Sequence, residues 1–229
     1  MKPVRLDFRQ DLLLVIDVQR DFCPGGKLAI AEGDAVVPII NRLASSFEHI
    51  VLTQDWHPAG HASFASQHAG KQPFDQIALG YGQQTLWPDH CVQNTPGADF
   101  HPDLSQEVFA RTELILRKGF RSAIDSYSAF LENDKRTTTG LAGYLRERGF
   151  ERIFIAGLAY DYCVRFSAVD AVKAGFETWV IRDACRSVGP SSAQEETSRT
   201  FQRSGVGQIT VAELLGRDGE SFFSATGLT

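Results

Sequence analysis

The apolar residues of this chain are gathered into short unbroken runs, and that pattern limits the fold more than any other feature. Residues 12–16, 50–53, 114–116, 153–156 and 178–181 are such runs, with 209–211 as a sixth candidate. A strand with one wet face alternates apolar and polar residues. A strand buried on both faces does not, so these runs fit a mostly parallel sheet covered on each side. Segments with helical spacing lie between them. Residues 35–47 carry Val36, Val37, Ile39, Ile40, Leu43 and Phe47. Residues 138–148 carry Leu141 and Leu145, with Gly149 as the stop. Residues 162–174 carry Val164, Ala168, Val169, Ala171 and Val172, with Gly175 as the stop. Strand and helix alternate, which predicts a doubly wound α/β sheet in a three-layer α/β/α arrangement. A length of 229 residues suits one such domain, 1–229.

One stretch breaks the rhythm. Residues 56–112 hold five of the six histidines, five of the nine prolines and two of the three tryptophans, without a periodic segment. Disorder would deplete aromatic residues, so this reads as an ordered, irregular, site-building insertion. Residues 217–229 are Gly- and Ser-rich and read as a loose tail.

The formal charge is −5, with no basic run, which argues against a nucleic-acid or polybasic membrane partner. No apolar run approaches the ~20 residues of a bilayer span. The first run is too short, and too acidic at its edges, for a signal peptide, so the chain is expected in the cytoplasm. Cys23, Cys91, Cys163 and Cys185 are widely spaced and are therefore expected to be reduced thiols. A homo-oligomer stays open, because oligomeric state is not readable here.

Ligands of open parallel sheets bind beyond the carboxyl ends of the strands. The first run ends at Asp17, the second at Asp55, Trp56 and His57, the third at Arg117 and Lys118. The fourth leads into Gly157-Leu158-Ala159-Tyr160-Asp161-Tyr162-Cys163. All should converge on one edge. Cys163 falls in the first turn of the following helix, with Asp161 as its cap. Unpaired N–H groups there would favour a thiolate, although an inert packed cysteine is the commoner fate of such a residue. Asp17 is either a loop cap or a general base for the thiol. Lys118 is either a snorkelling surface lysine or a cation for the carboxylate and the thiolate. In Asp55-Trp56-His57 the two polar side chains share a face. With His90 they would make a site with open coordination positions, to which His61 adds a ligand or an outer contact.

The segments DVQRDFCPGGKLAI from Asp17, TQDWHPAGHASF from Thr53 and WPDHCVQNTPGADF from Trp87 carry a family resemblance. So do RKGF from Arg117, DSYSAF from Asp125 and GLAYDYCVRFSAVDA from Gly157. In this order they resemble the nicotinamidases, also called pyrazinamidases, of the isochorismatase-like cysteine hydrolase superfamily. The resemblance implies the isochorismatase-like hydrolase fold and a catalytic triad of Asp17, Lys118 and Cys163. It implies one divalent metal, zinc first and iron or manganese next, on Asp55, His57 and His90, with His61 a ligand in some members. The Leu158–Ala159 peptide matches a cis bond of that family, with the Ala159 and Cys163 N–H groups as the oxyanion hole. Phe22, Trp87 and Tyr162 would wall a slot for an aromatic ring, bordered by Tyr127. The implied reaction is hydrolysis of nicotinamide to nicotinate and ammonia through a cysteine thioester, within NAD salvage, with pyrazinamide also accepted. Three other readings compete: an amidase for carbamoyl or ureido substrates, a non-catalytic binding module, and a redox thiol protein. The metal-ligand segment argues against the first and the intact triad against the second. The third lacks a Cys-x-x-Cys pair.

Overall fold

The computed structural model describes residues 6–216 except Phe8; the loose tail expected at 217–229 lies outside these. Strand β1 (Asp11–Ile16) is buried at every position. It pairs in parallel with β2 (His49–Asp55) on one side and β6 (Arg152–Leu158) on the other. Outside these lie β5 (Thr112–Lys118) next to β2, and β7 (Glu177–Arg186) then β8 (Gly207–Ile209) next to β6. All five pairings in this six-stranded sheet are parallel. The edge strand β5 half-buries alternate residues and fully buries only its last, Lys118, as an edge permits.

Successive residues of a strand face opposite sides, and the core divides accordingly. Leu13 and Val15 pack with α1 (Val36–Ala44), α2 (Gln106–Ala110) and α6 (Val211–Leu215). Leu12, Leu14 and Ile16 pack with α3 (Leu141–Glu147), α4 (Arg165–Lys173) and α5 (Ser191–Ser204). The three-layer α/β/α expectation therefore holds. Among the described residues no helix is long and apolar enough to cross a membrane.

The differences from the sequence reading have local causes. Val211 starts α6 and does not end a strand, because Thr210 and Glu213 form a reciprocal capping box there. Helix α5 shows no apolar stripe in the sequence, since it buries only Thr197 and Phe201. The helix expected from 162 opens with a wide turn at Tyr160–Val164, in which the Ala159 carbonyl accepts both the Tyr162 and the Val164 N–H. The stretch 56–112 is less irregular than expected. It holds α2 and an antiparallel hairpin of β3 (Gln76–Leu79) and β4 (Gly82–Thr85), whose strands are too short to show a period.

The strand order reverses at β1 and β6, where an open α/β sheet leaves its ligand crevice. Gly157 lets β6 close against β1 at that point. Its φ is +118°, and a Cβ there would lie 2.1 Å from the Ile16 carbonyl oxygen. Gly157→Ala is therefore expected to cost about 3 kcal/mol or more from strain and overpacking. A lower urea midpoint at unchanged m-value would show it; a midpoint at the wild-type position would contradict it.

Candidate active site

Four neighbouring strands deliver one buried cluster. Asp17 follows β1 and is fully buried with φ 49°. The Thr53 hydroxyl donates to Asp17 Oδ1 at 2.6 Å and accepts the Asp17 N–H at 3.1 Å. Lys118, the last residue of β5, stands in register with Asp55 of β2. Its long stem carries Nζ past β2 to within 2.7 Å of Asp17 Oδ2, 3.0 Å of Asp55 Oδ1 and 3.4 Å of Cys163 Sγ. Nζ also donates to the Ser126 carbonyl at 3.1 Å.

Charges this deep are costly unless paired. Burial pulls the Lys118 ammonium down, but Asp17 and Asp55 outweigh it and hold the group well above its ordinary range. Burial raises the Asp17 carboxyl, with Lys118 opposing. Burial also pushes the Cys163 thiol well up, again against Lys118, and Asp17 is its hydrogen-bond partner. This corrects the expectation of a thiolate stabilised by a helix N-terminus. Asp161 does not cap that helix either: its carboxylate accepts the Val188 and Gly189 N–H groups at 3.0 and 2.8 Å. Cys23, Cys91 and Cys185 are buried and unbridged. Burial lifts their thiols too, Cys23 to about 11 and Cys185 to about 12.

Asp55, His57 and His90 come together as a donor set, each offering one ligand atom within 4.8 Å of the others. Asp55 Oδ2 is 3.1 Å from His57 Nε2 and 3.4 Å from His90 Nε2. His57 Nδ1 donates to the Gly119 carbonyl at 2.9 Å, and His90 Nδ1 to the Pro88 carbonyl at 2.8 Å. Those bonds use the Nδ1 atoms and turn both Nε2 atoms toward Asp55, as metal-binding imidazoles are oriented. Gly119 is required here: its φ is +67°, and a Cβ would sit 2.5 Å from His57 Cε1. His61 differs. Its Nδ1 lies 2.7 Å from the Ser63 hydroxyl and accepts the Ser63 N–H at 3.2 Å, so the proton sits on Nε2, 3.4 Å from the Ile124 carbonyl. The charge around the site fits a cation as well. Asp55 is buried beside both imidazoles, and a second buried donor group of His57, His61 and Asp125 adjoins it.

Beside this cluster opens a narrow pocket lined by Phe22, Trp87, Tyr127, Tyr162, Ala159 and Cys163, and by His90 and Asp55 of the donor set. All the aromatic residues expected from the sequence reach it. The Trp87 and Tyr162 rings lie 4.8 Å apart at 83°, and Tyr127 and Tyr162 lie 5.5 Å apart at 74°. Trp87 Nε1 donates to the Tyr127 hydroxyl at 3.1 Å, which fixes the corner. The Leu158–Ala159 peptide is cis. Leu28, Val188 and Asp125 also line the pocket and went unread in the sequence. Asp125 opens the DSYSAF segment, and its Oδ2 accepts from Gln84 Nε2 at 3.0 Å. Gln84 also donates to the Tyr127 hydroxyl at 2.8 Å. A glutamine on a short hairpin strand carries no sequence signal for that role.

A thiol, a carboxylate and an ammonium at the carboxyl edge of a parallel sheet, opening on an aromatic slot, define a hydrolytic enzyme of the α/β class. The isochorismatase domain model matches residues 11–213. The chain belongs to the isochorismatase family. The nicotinamidase of Acinetobacter baylyi is 51% identical over 203 residues, covering 89% of this chain and 94% of that one. The structure of the Acinetobacter baumanii nicotinamidase and pyrazinamidase superposes with a TM-score of 0.87 at 52% identity, over 90% of this chain and 99% of that one. The zinc complex of the Pyrococcus horikoshii pyrazinamidase superposes with a TM-score of 0.70 at 36% identity, over 88% and 99% of the two chains.

Proposed function

We propose that this enzyme hydrolyses nicotinamide to nicotinate and ammonia, accepts pyrazinamide as well, and serves NAD salvage. The observation that carries the reading is Cys163 Sγ at 3.4 Å from Lys118 Nζ, at the wall of a slot shaped for one aromatic ring. Identity to nicotinamidases across nearly the whole chain supports it.

The ring lies against Phe22, Trp87 and Tyr162, with Tyr127 at the border, and the carboxamide faces Cys163. As sulfur attacks the carbonyl carbon, Asp17 takes the thiol proton. The carbonyl π electrons move to oxygen, which the Ala159 and Cys163 N–H groups stabilise. Collapse breaks the C–N bond, and Asp17 returns the proton to nitrogen as ammonia leaves. A thioester remains. Asp17 then takes a proton from water as its oxygen attacks, and collapse releases nicotinate and restores the Cys163 thiol. Lys118 keeps Asp17 ionised between these transfers.

Asp55, His57 and His90 would hold one divalent metal, zinc in the first instance, with iron or manganese as alternatives for the same donors. When bound, the ion supplies a Lewis-acid anchor for the ring nitrogen. His61 stays a candidate further ligand, since it forms an adjoining donor group with His57 and Asp125. The test is ammonia release from nicotinamide by purified protein, with elemental analysis of the same sample. A kcat/KM on the order of 10⁴ M⁻¹s⁻¹ or more supports the reading. Turnover of ureido or carbamoyl amides without turnover of nicotinamide overturns it. Stripping the metal with a chelator is expected to lower kcat/KM about tenfold or more, mainly through KM, with recovery on adding zinc. Unchanged kinetics in metal-free protein would remove the metal role and leave the thiol role standing.

A further inference from the structure

The loop that leaves β1 carries more than Asp17. Asp17, Gln19 and Asp21, alternate residues along it, are all buried. Gln19 meets Asp55 as a neighbouring strand would. Its Oε1 accepts the Asp55 N–H at 2.8 Å, and its Nε2 donates to the Asp55 carbonyl at 2.8 Å. Nε2 donates also to the Ala98 carbonyl at 2.9 Å. Asp21 braces the other side: its Oδ2 accepts the Cys91 N–H, next to His90, at 2.7 Å. Asp55 is the last residue of β2, and on the β1 side regular pairing ends at Leu52, short of it. Both of its main-chain polar groups then depend on one side chain, and the main chain sets where its carboxylate points.

We infer that Gln19 is a positioning residue for the metal site, holding the Asp55 backbone so that its carboxylate faces His57 and His90. The inference rests on the three-ligand metal reading above. Outer partners of metal ligands are worth ~10–100-fold in affinity.

The experiment measures zinc affinity by competition with a chromogenic chelator, using metal-stripped full-length wild-type, Gln19→Met and Gln54→Met proteins. Gln54 is the control. It also donates to the Ala98 carbonyl and accepts from Arg117, and none of its side-chain bonds reaches Asp55. Gln19→Met is expected to weaken zinc binding ~10–100-fold while Gln54→Met stays within about threefold of wild type. At limiting zinc the Gln19 variant should show a raised KM for nicotinamide, and saturating zinc should restore it, which general loss of structure would not allow. Should Gln19→Met fail to fold, Gln19→Glu keeps the size and the acceptor, loses the donor, and is expected to show the same zinc-rescued defect. Zinc affinity within about threefold of wild type in a folded Gln19 variant overturns the positioning role. A wild-type chain that binds no zinc overturns the metal reading, and this inference with it.

Discussion

Cys163→Ala abolishes ammonia release from nicotinamide, with a loss in kcat of about 10⁴-fold or more. The change removes the sulfur that forms the thioester and leaves the other walls of the slot in place. Nicotinamide binding, measured by calorimetry, should therefore stay within a few-fold of wild type. Stability should drop by only about 1 kcal/mol, since one buried sulfur is lost. The pH profile of the wild-type enzyme belongs to the same argument. Attack needs Asp17 ionised to receive the thiol proton. Burial raises that carboxyl from its ordinary value of 3.8, so the acid limb of kcat/KM should lie above 3.8. A Cys163→Ala protein that releases ammonia within about tenfold of the wild-type rate would sink the nucleophile assignment.

The strands and their terminal residues are legible in the sequence because two-sided burial writes itself as unbroken apolar runs. The polar residue that ends each run is then conspicuous, and Asp17, Asp55 and Lys118 surface in this way, while Cys163 surfaces at the start of the helix that follows the fourth run. The direction of the Cys163 shift is not legible. It depends on how completely the wide turn at Tyr160–Val164 buries the thiol, and burial outweighs the nearby Lys118. Gln19 and Gln84 are illegible for a different reason. Their work is hydrogen bonding to main chain and to distant side chains, from 36 to 79 positions away for Gln19, and composition holds no trace of such pairs. Helix α5 stays hidden because a helix burying two residues in fourteen has no stripe to find.

Lys118→Met should damage both stability and activity, and the two effects can be separated. The methionine stem fills most of the lysine's channel, so the loss is chiefly electrostatic. It leaves Asp17 and Asp55 buried without the ammonium that lies 2.7 and 3.0 Å from them. Removing one partner of such a buried cluster costs about 3–5 kcal/mol. The cost has a definite pH dependence. Without the cation, the folded-state pKa of Asp17, already raised by burial, rises further above its unfolded value. The folded variant then binds more protons than the unfolded chain, and its stability falls as pH rises. The gap to wild type should be largest near neutrality and narrow as pH falls and Asp17 takes up its proton. Activity should fall about 10³-fold or more, because Asp17 now holds its proton and cannot accept one from Cys163. The double variant Asp17→Asn/Lys118→Met removes the stranded charge as well as the ammonium. It should recover part of the lost stability and none of the lost activity, giving a coupling energy of about 1–3 kcal/mol in a double-mutant cycle. Additive stability losses would mean that the 2.7 Å contact between Lys118 and Asp17 is not what stabilises the buried carboxylate.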